Sequence, residues 1–237
     1  MTKILLLLLS GAKLGKLLTT GGTMLLSLVV YAFVYGWKYA AGFVALLFVH
    51  EMGHYIAARQ RGLAVGAPTF IPFLGAWIEL KDLPHDAETE AFVGLGGPLL
   101  GSVGALGAYF LARSWDADWL LAVSYAGFFI NLFNLIPLSP FDGGRITAVL
   151  SPRIWLLGVP ILGALFLWRP SPMLLIVAVL AAPQVWKALK YRSDSPEAQT
   201  YYAVPTAKKW EYGLMYIGLA AFLAVMTHDV HEMLPGR

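Results

Sequence analysis

Residues 39–58 read YAAGFVALLFVHEMGHYIAA. A helix needs about 20 predominantly apolar residues to cross the hydrocarbon core of a bilayer, and this run has that length. Its reading decides the fold class because the rest of the chain has the same character. Of 237 residues, 58% are hydrophobic and only 13% are Asp, Glu, Lys or Arg, against roughly 25% charged in soluble domains. One soluble core cannot hide so much apolar surface, so lipid is the solvent for much of it. Apolar runs near 20–37, 39–58, 90–112, 118–138, 154–168, 171–188 and 211–228 predict an all-α membrane protein, a polytopic bundle of six or seven transmembrane helices. The run at 154–168 is short and can pair with the next as a shallow hairpin around Arg169–Pro172, which leaves the count at six or seven.

Residues 63–86 break this pattern. Pro68 and Pro72 do not suit a helix interior, and Val65, Phe70, Ile71, Trp77, Ile78 and Leu80 are β-prone. Two short strands, 65–71 and 76–81, turning at Pro72–Gly75, are expected to form a membrane-associated β-hairpin near 65–81. An ordinary amphipathic loop is the alternative. Residues 4–18 read either as a helix lying in the membrane interface or as an extension of the first span. Their apolar core is too short for a secretory signal. The third span carries Gly94, Gly96, Gly97, Gly101, Gly104 and Gly107, a density that lets helix backbones approach closely in lipid.

With the N-terminus in the cytoplasm, only Lys38, Arg113, Arg169 and Arg237 of the 17 Lys and Arg fall on the far side. That bias is the one expected for this orientation in a cell membrane. The net charge of +3 is too small to suggest a nucleic acid partner. There is no cysteine, which rules out disulfides and thiolate ligands, so any metal must be held by His, Asp or Glu.

The opening run contains His50, Glu51 and His54. Each charge within a membrane helix costs about 2.5–3.5 kcal/mol on insertion scales, so such residues point to function. On a helix the two histidines fall one turn apart on one face, where both imidazoles reach one zinc and Glu51 stands beside them as general base. A catalytic zinc usually keeps three protein ligands and one open position. Asp142 is the available third. It follows Asn134, Pro137 and Pro140, which end the fourth helix, and precedes Gly143-Gly144, which are expected to permit a turn aiming the carboxylate into the bundle. Counting residues from Arg59 puts the histidines roughly 8–14 Å below the cytoplasmic end, and Asp142 just before Arg145 falls toward the same side. His85 reads as solvated. His228 and His231, with Asp229 and Glu232, are a second candidate metal group.

With both motifs in place, the chain resembles the site-2 protease family of intramembrane metalloproteases. That family carries His-Glu-x-x-His, matched by His50–His54, and Asn-x-x-Pro-x-x-x-x-Asp-Gly, matched by Asn134, Pro137, Asp142 and Gly143. The resemblance covers about 40–145. It implies that Asp142 is the third ligand of one Zn2+, that Asn134 and Pro137 belong to the substrate-binding segment, and that the hairpin edge pairs with an unwound substrate. It also implies peptide-bond hydrolysis in a transmembrane protein substrate, single-span by default, within the lipid bilayer. The whole chain, 1–237, then reads as one protease domain without PDZ or nucleotide-sensing parts, and 146–237 as additional C-terminal helices. The competing class is a catalytically silent membrane protein that binds partners or transports metal. A transporter needs ionisable residues at several depths, whereas the acids and histidines here gather at one.

Overall fold

The computed structural model describes residues 2–73 and 75–235, with side chains described from Thr19 onward except those of Trp77, Glu79 and Leu80. Among these residues the helices are α1 (Thr2–Tyr35), α2 (Trp37–Gln60), α3 (Ala87–Trp115), α4 (Asp118–Asn134), α5 (Asp142–Thr147), α6 (Gly158–Trp168), α7 (Pro172–Lys190), α8 (Pro196–Thr200) and α9 (Thr206–Glu232). A 3-10 helix covers Pro152–Leu157, and strands β1 (Val65–Ile71) and β2 (Gly75–Leu80) lie between α2 and α3.

All seven expected runs are helical. α2, α3, α7 and α9 are each long and apolar enough to cross a membrane, while Thr19–Tyr35 and Pro152–Trp168 are shorter apolar stretches. The fourth run stops at Asn134 instead of 138, because Pro137 and Pro140 lack the amide hydrogens a continuing helix needs and disfavour helical backbone before them. Residues 4–18 lie within α1 and continue the first span along the chain. The face they turn to an interface is outside the described residues. α3 starts where the Asp86 carboxylate accepts from the Thr89 N–H at 2.7 Å, with Glu88 and Glu90 in the first turn, an arrangement that suits the exposed amides and positive dipole end.

α2 and α3 meet backbone to backbone. A Cβ added to Gly53 would collide with the Gly96 carbonyl, and one on Gly96 would lie 2.5 Å from the Gly53 carbonyl oxygen. This is the close approach small residues allow in lipid. α4 and α9 complete the main apolar core with α3, through Ala105, Val123, Phe128, Leu219 and Leu223. A second core joins α7, the 3-10 helix and the turn before Asp142 through Leu138, Phe141, Trp155 and Val177.

The hairpin forms as expected, with β1 antiparallel to β2 and Pro68 opposite Ile78, Thr69 opposite Trp77 and Ile71 opposite Gly75. Its two edges differ. Thr20 Oγ1 donates to the Pro68 carbonyl at 2.7 Å, and the Phe70 N–H donates to Thr23 Oγ1 at 3.3 Å. The outer edge of β1 is therefore sealed by α1. The Phe73 N–H, at the turn, donates to Tyr31 Oη at 2.9 Å. Backbone groups alternate sides along a strand, so residues opposite Pro68 and Phe70 also point away from the ladder. Those residues are Ile78 and Ala76, and they carry the free edge of β2.

Candidate metal centre

α2 places His50 and His54 one turn apart, and both are buried, as is Asp142 at the start of α5. His50 Nε2 lies 3.2 Å from Asp142 Oδ2, His54 Nε2 lies 3.1 Å from Asp142 Oδ1, and the two Nε2 atoms are 3.2 Å apart. Their outer partners place a proton on each Nδ1. His54 Nδ1 is 2.8 Å from the Val93 carbonyl, which can only accept. His50 Nδ1 is 2.8 Å from Asn131 Oδ1, whose amide nitrogen donates to the Gly127 carbonyl at 2.7 Å. Both Nδ1 atoms thus donate, and both Nε2 atoms face the carboxylate.

This donor set fits one zinc ion. Two imidazole Nε2 atoms and a carboxylate converge on one point, where a cation can take a lone pair from each. A tetrahedral ion with bonds of about 2.0 Å spaces its ligands about 3.3 Å apart, close to the separations here. Outer partners that hold the distal imidazole N–H are the usual companions of zinc-binding histidines. Among the described residues this is the one group of three or more His, Asp or Glu side chains near enough to share a metal. The C-terminal candidate does not assemble one: His231 instead stacks on Tyr125, with ring centres 5.2 Å apart.

Several features of the site were not anticipated from sequence. Asn131, 2% exposed, orients His50. An Asn in an apolar helix carries the same cost signal that singled out the histidines. Gly97 packs beneath both Nε2 atoms, so that a Cβ there would lie 2.8 Å from His50 Nε2 and collide with His54. The Gly143-Gly144 pair works differently from the expected flexible turn. Both residues are helical, and neither has positive φ. What matters is their missing Cβ: one on Gly143 would strike the Leu135 and Ile136 carbonyls, and one on Gly144 would lie 2.8 Å from Ser139 N. The tight packing of α5 against the preceding turn carries Asp142 inward.

A cavity of about 150 Å³ holds the cluster, Glu51, Asn134 and Arg145, and Ala76 and Ile78 of β2 wall it. Pro137 is buried in the turn, against Gly158, and Pro140 is the proline at the cavity. A larger cavity, about 460 Å³, shares His50, Glu51, Ala76 and Asn134 and runs between aromatic side chains of α1, α2 and α4.

Residues 38–115 match the model of peptidase family M50. A zinc metalloprotease of Methanocaldococcus jannaschii is 30% identical over 118 residues, covering 46% of this chain and 34% of that protein. The Arabidopsis thaliana protein named "Probable zinc metalloprotease EGY1, chloroplastic" is 30% identical over 153 residues, 45% of this chain and 28% of the relative. The chain spans about a third of the length of the curated relatives it matches. A solved site-2 protease from Methanocaldococcus jannaschii aligns over 77% of this chain and 87% of that one, with 18% identity and a TM-score of 0.46. The family match runs through the His50–His54 motif, and the Asp142 motif is folded against it, so in its metal-centre segment the chain is similar to the zinc metallopeptidases of family M50.

Proposed function

We propose that this chain is an intramembrane zinc metalloprotease that hydrolyses a peptide bond within or near the transmembrane segment of a membrane protein. The observation that carries the reading is the convergence of His50, His54 and Asp142 beside Glu51, in a cavity bordered by the free edge of β2. His50, His54 and Asp142 hold the ion, oriented by Asn131 and the Val93 carbonyl. Zinc bound there supplies Lewis-acid activation of water and of the scissile carbonyl. Glu51 takes the proton of the attacking water and delivers it to the leaving amine. A helical substrate hides its peptide bonds, so a segment must unwind before cleavage. Ala76 and Ile78 then offer replacement backbone hydrogen bonds by strand addition, and Asn134 holds the substrate backbone from the opposite wall. Pro137 contributes by shaping the turn that bears Asn134 and Asp142.

In this reading 1–237 is one protease unit, with its chemistry in 40–145. Its N-terminus is cytoplasmic and the site lies toward that side, as the Lys and Arg distribution supports. The substrate is a single-span protein by family resemblance. Glu51→Gln in the detergent-purified protein is expected to abolish cleavage of a transmembrane substrate while zinc content stays at one per chain. Wild-type activity in that variant would overturn the mechanism.

A further inference from the structure

Arg145 has no role so far. It sits on α5, one turn after Asp142, is half-buried, and lines the metal cavity. Several cations more exposed than Arg145 are nevertheless paired. Arg61 lies 3.5 Å from Glu88 and over the Phe92 ring at 4.3 Å, and Lys187 lies 2.6 Å from Glu197. Among the described residues no carboxylate lies within ion-pair distance of the Arg145 guanidinium, and none of the hydrogen bonds around the site involves it.

Charge balance says what such a group would take. A divalent ion offsets the carboxylates of Asp142 and Glu51, and the imidazoles are neutral. The guanidinium is then an uncompensated charge at a small, half-enclosed cavity, where an unpaired ion is costly in proportion to its burial. Its planar fork of donors matches a carboxylate in two parallel hydrogen bonds. Hydrolysis supplies one: water adds across the C–N bond, leaving a carboxylate on one fragment and an ammonium on the other. Glu51 repels that carboxylate, and Arg145 is the neighbouring side chain of opposite sign.

We propose that Arg145 is the carboxylate-binding residue of this site, holding the terminal carboxylate created at the cut. The proposal rests on the protease reading above. An acidic side chain of the substrate presents the same chemistry, and the test separates the two sources. Three peptides are titrated against zinc-loaded protein in lipid nanodiscs: N-acetyl-trileucine acid, its amide, and N-acetyl-Leu-Glu-Leu amide. The proteins are wild type, Arg145→Gln and Arg145→Lys, each with zinc content measured.

Wild type is expected to bind the acid about tenfold or more tightly than the amide. Arg145→Gln removes that preference at unchanged zinc content and unchanged affinity for the amide. Arg145→Lys keeps part of the preference, and it serves alone if the Gln variant does not fold. A preference for the glutamyl amide that is lost in the same way assigns the site to a substrate side chain instead. An acid-to-amide ratio equal in wild type and Arg145→Gln, with zinc bound in both, overturns the carboxylate assignment and leaves the protease reading standing. Failure of wild type to take up zinc overturns the protease reading itself.

Discussion

Asn131 shows how much of the site rests on groups that never touch the metal. Its side-chain oxygen fixes both the tautomer and the rotation of His50, and its own amide is anchored on Gly127. Asn131→Ala leaves the His50 Nδ1–H without a partner in a buried setting. Zinc affinity is expected to fall about 10–100-fold, the usual cost of losing such an outer contact. Competition against a chelator of known affinity measures it, and an unchanged affinity would show that the ring is held by α2 packing alone. Gly97→Ala is expected to be at least as damaging, since its methyl occupies the space of His54 Nε2. The two histidines, Glu51 and Asp142 were legible in the sequence because charge in an apolar run is itself anomalous. Gly97 was legible only as part of a glycine-rich stripe, since its position under the metal depends on how α3 meets α2.

At the scale of elements, the proposed mechanism makes the hairpin the place where a substrate lies. A hairpin at 65–81 follows from its prolines and β-prone residues, but two edges are available on paper. α1 closes one of them with Thr20 and Thr23. Pro68 fits there without loss, because its missing N–H would face α1 and not the ladder. Ile78→Pro is the corresponding experiment on the other strand. It removes one outward N–H and spares the pairing with β1. One hydrogen bond is worth about 1 kcal/mol, so kcat/KM on a transmembrane substrate should drop roughly fivefold while zinc stays bound. An unaltered rate would place strand addition elsewhere. The register that makes Ala76 and Ile78 the outward pair is fixed by Thr69 opposite Trp77, a pairing that alternating hydrophobicity does not single out.

Across the whole molecule, the C-terminal helices have a structural task that their sequence does not announce. Gln184 of α7 accepts from the Ser139 N–H, Tyr216 of α9 donates to the Leu135 carbonyl, and Trp155 donates to the Gly144 carbonyl at 2.7 Å. Three elements beyond residue 146 thus brace the turn that presents Asp142. Gln184→Leu strands the Ser139 N–H, a loss of about 1–3 kcal/mol. It is expected to lower the melting temperature by roughly 2–4 °C per kcal/mol and to weaken zinc binding with it. A melt and zinc affinity like those of wild type would show the turn to be self-supporting. Zinc removal by a chelator should also lower the melting temperature, because ligand binding to the folded state stabilises it by mass action. Re-addition restores the melt in wild type, and His54→Ala shows neither change.

What the sequence alone determined here is local in origin. Span length, the one-turn spacing of His50 and His54, the break at Pro137 and the cost of charge in lipid are properties of a few consecutive residues and their solvent. What only the tertiary structure decided involves partners far apart in the chain: Asn131 on His50, the Val93 carbonyl on His54, α1 against β1, and Arg145 and Glu51 lining one cavity. Those contacts depend on helix packing and strand register. Many sequences with the same hydropathy could satisfy these in other ways, so no local pattern encodes them.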